Sequence, residues 1–313
     1  MGKNSKAKNH HYVPQVYLRN FSNKNKNEYQ INVIDKKTGE VYKANIKNVS
    51  CEKNYNRVEN LENPNYWEEY YSQNIENKLN KFFENLTAIA TVTLSDKEIF
   101  DEKTKEKFCK IIISQTYRTK KNRDKLMKDG GEFLVQTTKK LADTIQGQVS
   151  KEAEEYIRNW KPDYDFLKGE TLKVINDKRL YEKIKNGLLE KNWVLYRNKN
   201  YKTMPFITSD NPVYIYNYKK PKKETGNSLI DENVIIYFSI NEMLMLAIFP
   251  KYIYGKDMSY IKNKLQDIDD NRFIIGLYNR IYQSCSRQIY YKIWVFYFFV
   301  LYFDKFCIYY IVI

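Results

Sequence analysis

Glycine and proline are scarce, 10 and 7 in 313 residues, which excludes a collagen-like, linker-like or wholly disordered chain. Cysteine is scarcer: Cys51, Cys109, Cys285 and Cys307 are widely separated with no C-x-x-C pair, so neither a disulfide scaffold nor a zinc knuckle is written here. The sequence also lacks a P-loop, a dinucleotide fingerprint, and HNH or D-E-x-K nuclease motifs. No internal repeat is present. The start, Met1 to Gln15, is basic but has no apolar stretch of the secretory kind, so a reducing cytoplasm is the expected compartment. Gly2 opens only a partial myristoylation pattern, with Ser5 one position early.

Positive charge is in excess. Lys plus Arg number 53 against 38 acids, a formal net charge of +15, so weak attraction to polyanions or an acidic membrane face is expected. The short groups Lys120-Lys121, Lys139-Lys140 and Lys219 to Lys223 read as solvated faces unless folding gathers them. Apolar residues are unevenly placed. Tyr291 to Ile313 holds only Lys292, Asp304 and Lys305 as charged groups. Residues 1–291 are therefore expected to form one domain, with 292–313 a hydrophobic C-terminal extension. A bilayer crossing needs about 20 mainly apolar residues, and the central Asp304-Lys305 pair fits that poorly. Membrane contact through this tail is thus weighed against a buried strand or an appended extension.

Tyr29 to Asp35 and Glu40 to Ala44 flank Gly39 as a hairpin. Ile75, Leu79, Phe82, Leu86 and Ile89 recur at the spacing of one apolar helical stripe. Ser95 to Glu98 has capping-box spacing ahead of a second helix over Lys105 to Arg118. From Asn122 to Lys161, Gly130-Gly131 and Gly147 predict helical pieces joined by turns. Leu172 to Leu188 predicts a further helix, and Tyr260 to Ile268 another. Strands are expected at Trp193–Tyr196, Phe206–Thr208, Val213–Tyr216, Val234–Phe238, Met243–Phe249 and Gln288–Tyr291. The fold class is α+β: a mainly helical middle region packed against a small, mostly antiparallel sheet built from N-terminal and C-terminal segments.

Three polar clusters can carry chemistry. His10-His11-Tyr12-Val13-Pro14-Gln15, with Arg19, combines both histidines of the chain with an anion-binding guanidinium. The alternative needs no activity: the histidines bond buried backbone while Tyr17, Leu18 and Phe21 fill the core. Gln115, Arg118 and Thr119 share one helical surface and can hold a phosphate or carboxylate, or pair with an acid from a neighbouring element. Ser209-Asp210-Asn211-Pro212 leaves a strand in a turn that can orient a histidine, bind a metal or simply close on itself. Asn279 is a weaker candidate.

In this order the clusters resemble the bacterial family catalogued as domain of unknown function 4238, whose members open with His-His-Tyr-x-Pro-x-x-Tyr-Leu-x-x-Phe. His10, His11, Tyr12, Pro14, Tyr17, Leu18 and Phe21 match that string. Ile75-Glu76, the Gln115, Arg118 and Thr119 set, and Ser209 to Pro212 are similar to later family segments, with Asn279 as a late asparagine. The resemblance spans about Lys8 to Tyr291 and implies that the clusters share one pocket. It brings no established reaction.

Two functions follow as expectations. The first is a metal-dependent or histidine-assisted nuclease with His10, His11, Glu76, Arg118 and Asp210 as catalytic set. One histidine would activate water or a ribose hydroxyl, Arg118 would stabilise phosphate charge, and Glu76 or Asp210 would orient the base or hold Mg²⁺ or Mn²⁺. Tyr12, Gln15, Arg19, Gln115, Thr119, Ser209, Asn211 and Asn279 would bind substrate. The second is a non-catalytic sensor of a nucleotide, nucleic acid or peptide, with a protein partner in a bacterial defence system.

Overall fold

The structure is a computed structural model and describes residues 9–220 and 228–292. It is α+β. In chain order, β1 (Asn9–His11), α1 (Gln15–Leu18), β2 (Asn23–Asn25), β3 (Glu28–Asp35), β4 (Val41–Asn45) and β5 (Cys51–Lys53) make up the N-terminal part. The helical middle follows as α2 (Tyr66–Tyr71), α3 (Leu79–Val92), α4 (Glu102–Arg118), α5 (Lys120–Thr144), α6 (Lys151–Asn159), α7 (Tyr164–Ile175) and α8 (Lys178–Leu189). The C-terminal part comprises β6 (Asn192–Asn198), β7 (Thr208–Ser209), β8 (Val213–Asn217), β9 (Val234–Ser239), β10 (Leu244–Phe249), β11 (Tyr252–Ile253), β12 (Lys256–Asp257), β13 (Lys264–Ile268), α9 (Asn271–Ser284) and β14 (Gln288–Tyr291).

Two five-stranded sheets organise these elements. One, in the order β13-β6-β10-β9-β8, is antiparallel except where β13 runs parallel to β6. Strands β9 and β10 are buried at every position, as their unbroken apolar runs require of strands covered on both faces. One face packs Trp193, Leu195, Phe238 and Leu246 against α1, α3, α4 and α8. The other packs Val194, Tyr237 and Phe249 against Ile274, Leu277 and Tyr278 of α9. Trp193 is fully buried, its ring centroid 6.0 Å from that of Phe100, and its indole N–H donates to the Leu188 carbonyl at 2.9 Å. Truncating such a ring to alanine costs on the order of 3–5 kcal/mol. Gly187 permits the close approach of α8 to Ile230, whose Cγ2 would lie 2.6 Å from an added Cβ.

The second sheet, β2-β3-β14-β7 with β4 beside β3, joins chain ends. Its hairpin turns at Gly39, φ +75°, where a side chain would be strained. Strand β14 lies between β3 and β7, bringing Ser209 opposite Ile289 and Asp35 opposite Gln288. This pairing delivers the Ser209–Pro212 turn to the N-terminal strands.

Several expectations change. The buried α3 stripe is Leu79, Phe83, Leu86 and Ala90, while Ile89 is exposed, and a turn of π-helix at Ser72–Glu76 separates Ile75 from this stripe. Helix α4 is capped by Asp101, which accepts from Thr104 N–H, and not by Ser95. Gly130-Gly131 lies inside the continuous α5, whereas Gly147, φ +76°, does separate it from α6. Leu172 to Leu188 is divided between two helices by the Asp177 cap. Tyr260 to Ile268 is a short 3₁₀ turn followed by β13, whose backbone pairs with β6. Residues 293–313 and 1–8 lie outside the described residues, so the tail and the Gly2 pattern do too. Among the described residues no helix is long and apolar enough to cross a membrane.

Candidate functional site

Strand β1 pairs with β5, placing His10 opposite Glu52 and His11 opposite Cys51. Alternation along the strand sends the two imidazoles to opposite sides. His10 Nδ1 accepts from Asn56 N–H at 3.0 Å and lies 3.8 Å from Glu68 Oε2. His11 sits beneath α1, which Pro14 opens, and its Nδ1 is 3.5 Å from the Gln15 amide. His11 Nε2 is buried without a hydrogen-bond partner.

The last turn of α4 grips this segment. Gln115 donates to the Tyr12 carbonyl at 3.0 Å. Arg118, 1% exposed, donates through Nη1 to Glu76 at 2.6 Å and through Nη2 to the His11 carbonyl at 2.5 Å. Its guanidinium lies 4.5 Å from the Tyr71 ring centroid. The π-turn aims Glu76 toward it. Thr119 is the one extended residue between α4 and α5, so it does not continue the helical face of Gln115 and Arg118. Its hydroxyl proton is shared between the Thr116 carbonyl at 3.1 Å and Asn211 Oδ1 at 3.3 Å. Arg123, one turn further, donates to Asn56 Oδ1 at 2.8 Å and the Tyr55 carbonyl at 2.7 Å. Asn56 in turn donates to Glu68 at 2.7 Å.

Asp210 has a different task. Its carboxylate accepts from the backbone N–H groups of Ser286, Arg287 and Gln288 at 2.8, 2.7 and 3.1 Å, fixing the segment between α9 and β14. Ser209 Oγ accepts from Asn211 N–H at 3.1 Å, and Asn211 reaches the Ser284 carbonyl.

Electrostatics separate these groups. Burial, then the Arg118 charge, push the His11 pKa down, opposed by Glu76 and by the nearby Ile46 and Lys47 carbonyls. Neither carbonyl completes a hydrogen bond to Nε2. Burial works against the Arg118 charge, but Glu76, Glu68 and Tyr71 outweigh it and hold that guanidinium above its ordinary value. Burial raises the Asp210 pKa despite three backbone donors.

A family model described as "Protein of unknown function (DUF4238)" matches residues 9–293. The chain belongs to this family. No curated protein and no solved structure matches it. The segments through which the sequence resembles the DUF4238 family meet in space: Gln115 and Arg118 hold Tyr12 and His11, Arg118 holds Glu76, and Thr119 holds Asn211.

Two expected binding residues stand apart. Arg19 is exposed, with its guanidinium 5.2 Å from the Tyr29 ring centroid, and Asn279 is exposed on α9. Neither enters the hydrogen bonds of this cluster. Asn56, Glu68 and Tyr71 were not legible as site residues because loop and helix contacts join them only in three dimensions. A concavity of about 460 Å³, lined by Glu152, Glu155, Tyr156, Asn159, Trp160 and Lys161, lies on and just after α6 and includes none of the cluster. Among the described residues, no group of three His, Cys, Asp or Glu side chains is placed to hold a metal ion. Of the two carboxylates expected to serve a metal, Glu76 bonds Arg118 and Asp210 accepts from three backbone N–H groups.

Proposed function

We propose that this cluster is a histidine-assisted site for phosphodiester cleavage, with RNA as the preferred substrate. The observation that carries the reading is His11: a buried imidazole with an unpartnered Nε2, beside the Arg118–Glu76 pair. Its lowered pKa favours the neutral ring near pH 7, the form that accepts a proton. The Gln15 amide nitrogen lies 3.5 Å from Nδ1, at the limit of a hydrogen bond and too far to fix the tautomer; in the tautomer protonated at Nδ1, the unpartnered Nε2 carries the lone pair. Because Nε2 is buried, a local opening of the cluster must precede contact; His11 then takes the proton of a ribose 2′-hydroxyl. The 2′-oxygen–phosphorus bond forms as the bond to the 5′-oxygen breaks, and water protonates the departing oxygen. Arg118 contributes positive field, and its buried Nε has no hydrogen-bond partner.

A non-catalytic sensor is the second reading. It is favoured by the engagement of both Arg118 terminal nitrogens and both Asp210 oxygens inside the protein. Labelled RNA and DNA incubated with the purified chain in EDTA separate the two. RNA cleavage that persists in EDTA and falls at least a hundredfold in His11→Gln supports the enzyme, since general base catalysis contributes roughly 10²–10⁴-fold. Cleavage unaffected by His11→Gln sinks the assignment, and binding without cleavage favours the sensor. A setting in bacterial defence is proposed from the family resemblance. Equal phage plating on cells carrying the wild-type or His11→Gln chain would count against it.

A further inference from the structure

The sheet beyond the Ser209–Pro212 turn carries an unusual group of rings. Tyr214 and Tyr216 project from the same side of β8, and Tyr237 is directly opposite Tyr214 on β9. Ring centroids lie 6.3 Å apart for Tyr214–Tyr216 and 6.2 Å for Tyr214–Tyr237, with interplanar angles of 21° and 16°. Arg280 of α9 places its guanidinium 4.3 Å from the Tyr216 ring centroid. Tyr214, Tyr216 and Arg280 are all half-buried, so this stack is not sealed in the core. Asn279 and Gln283, both exposed, flank Arg280 on α9. Lys219 and Lys220 follow β8 and are exposed.

We infer that β8 and α9 form a binding track for single-stranded nucleic acid, running on the α9 face of the sheet along the tyrosines to Lys219 and Lys220. Every base has a π-face, so near-parallel aromatic rings and a guanidinium plane bind bases with little sequence preference. The amides of Asn279 and Gln283 supply donors and acceptors for base edges. The two lysines neutralise phosphates, in keeping with the net charge of +15. The inference rests on the phosphodiester-directed reading for the class of ligand; binding is measured separately from cleavage.

The test uses the full chain and a fluorescent 2′-O-methyl oligouridylate of about 12 nucleotides, which covers a single-strand site and has no free 2′-hydroxyl to attack. Tyr216→Leu keeps apolar packing and removes the π-face. It is expected to weaken binding about tenfold, the effect of losing one base stack, with an unchanged far-ultraviolet dichroism spectrum. The exposed pair Lys219→Gln/Lys220→Gln should reduce the slope of log affinity against log salt by about 1.4, near 0.7 for each phosphate contact. Wild-type protein that does not bind the oligonucleotide overturns the track, and so does binding that is unaltered in both variants. Tyr216-dependent binding with RNA left uncut supports the track and counts against the nuclease reading.

Discussion

Replacing Arg118 by methionine tests whether the cluster is a mechanical joint as well as a chemical one. Methionine keeps much of the aliphatic stem and removes two charged donors. One donor serves the His11 carbonyl at 2.5 Å in buried surroundings, and a charge-assisted bond of that kind contributes roughly 1.5–3 kcal/mol. The other serves Glu76, whose side chain is 25% exposed, so water recovers part of the lost pairing and about 1 kcal/mol is at stake. Loss of the cation–π contact with Tyr71 adds on the order of 1 kcal/mol. Relief from burying the guanidinium offsets some of this, leaving a net loss of about 3 kcal/mol. Urea unfolding followed by circular dichroism and tryptophan fluorescence reads it, provided both probes give one transition. The double variant Arg118→Met/Glu76→Gln should lose no more than the single one, because the unpaired carboxylate is gone. A single variant within about 0.5 kcal/mol of wild type would refute the reasoning, since that is the range of an ordinary surface substitution.

Two further outcomes follow from the same geometry. His11 has a lowered pKa in the folded chain, so between that value and the ordinary 6.5 the unfolded chain binds more protons and stability rises with pH. Its contribution is complete above about pH 6.5 and is lost as pH falls toward the folded value; urea midpoints measured across this window should flatten in His11→Gln, and an unchanged slope would contradict the burial of this ring. Asp210→Asn cannot satisfy all three backbone donors, so a loss of about 2–4 kcal/mol is expected, with faster proteolysis at Ser286–Gln288. Proteolysis at the wild-type rate would remove its role as a clamp.

What the sequence disclosed depended on how local each signal was. The β3–β4 hairpin and the last turns of α4 were legible because strand alternation, a glycine turn and four-residue recurrence act within a few positions. Tyr260 to Ile268 misled because an apolar spacing that suits a helix was overruled by pairing with β6, far away in sequence. Helix α9 is absent from the expected elements although Ile274, Leu277, Tyr278 and Ile281 stand at i, i+3, i+4 and i+7, the spacing of one buried helical face; Gly276 is the local residue that argues against it. At the site, the resemblance anticipated which segments converge, and Arg118, Glu76 and His11 do meet. It did not disclose that Asp210 spends both oxygens on backbone, because the partners, Ser286 to Gln288, carry no side-chain signature for that role.

Thr119 has one more consequence. It is the sole residue between a 17-residue and a 25-residue helix, with Arg118 on one side and Arg123 on the other. Each arginine holds a different stretch of the N-terminal region, His11 for one and Tyr55-Asn56 for the other. A residue inserted into the first turn of α5, ahead of Arg123, would turn that side chain by about 100° and carry it off its partners. The interval from Gln115 to Arg123 is therefore a fixed gauge length, in which an added or removed residue shifts one grip relative to the other.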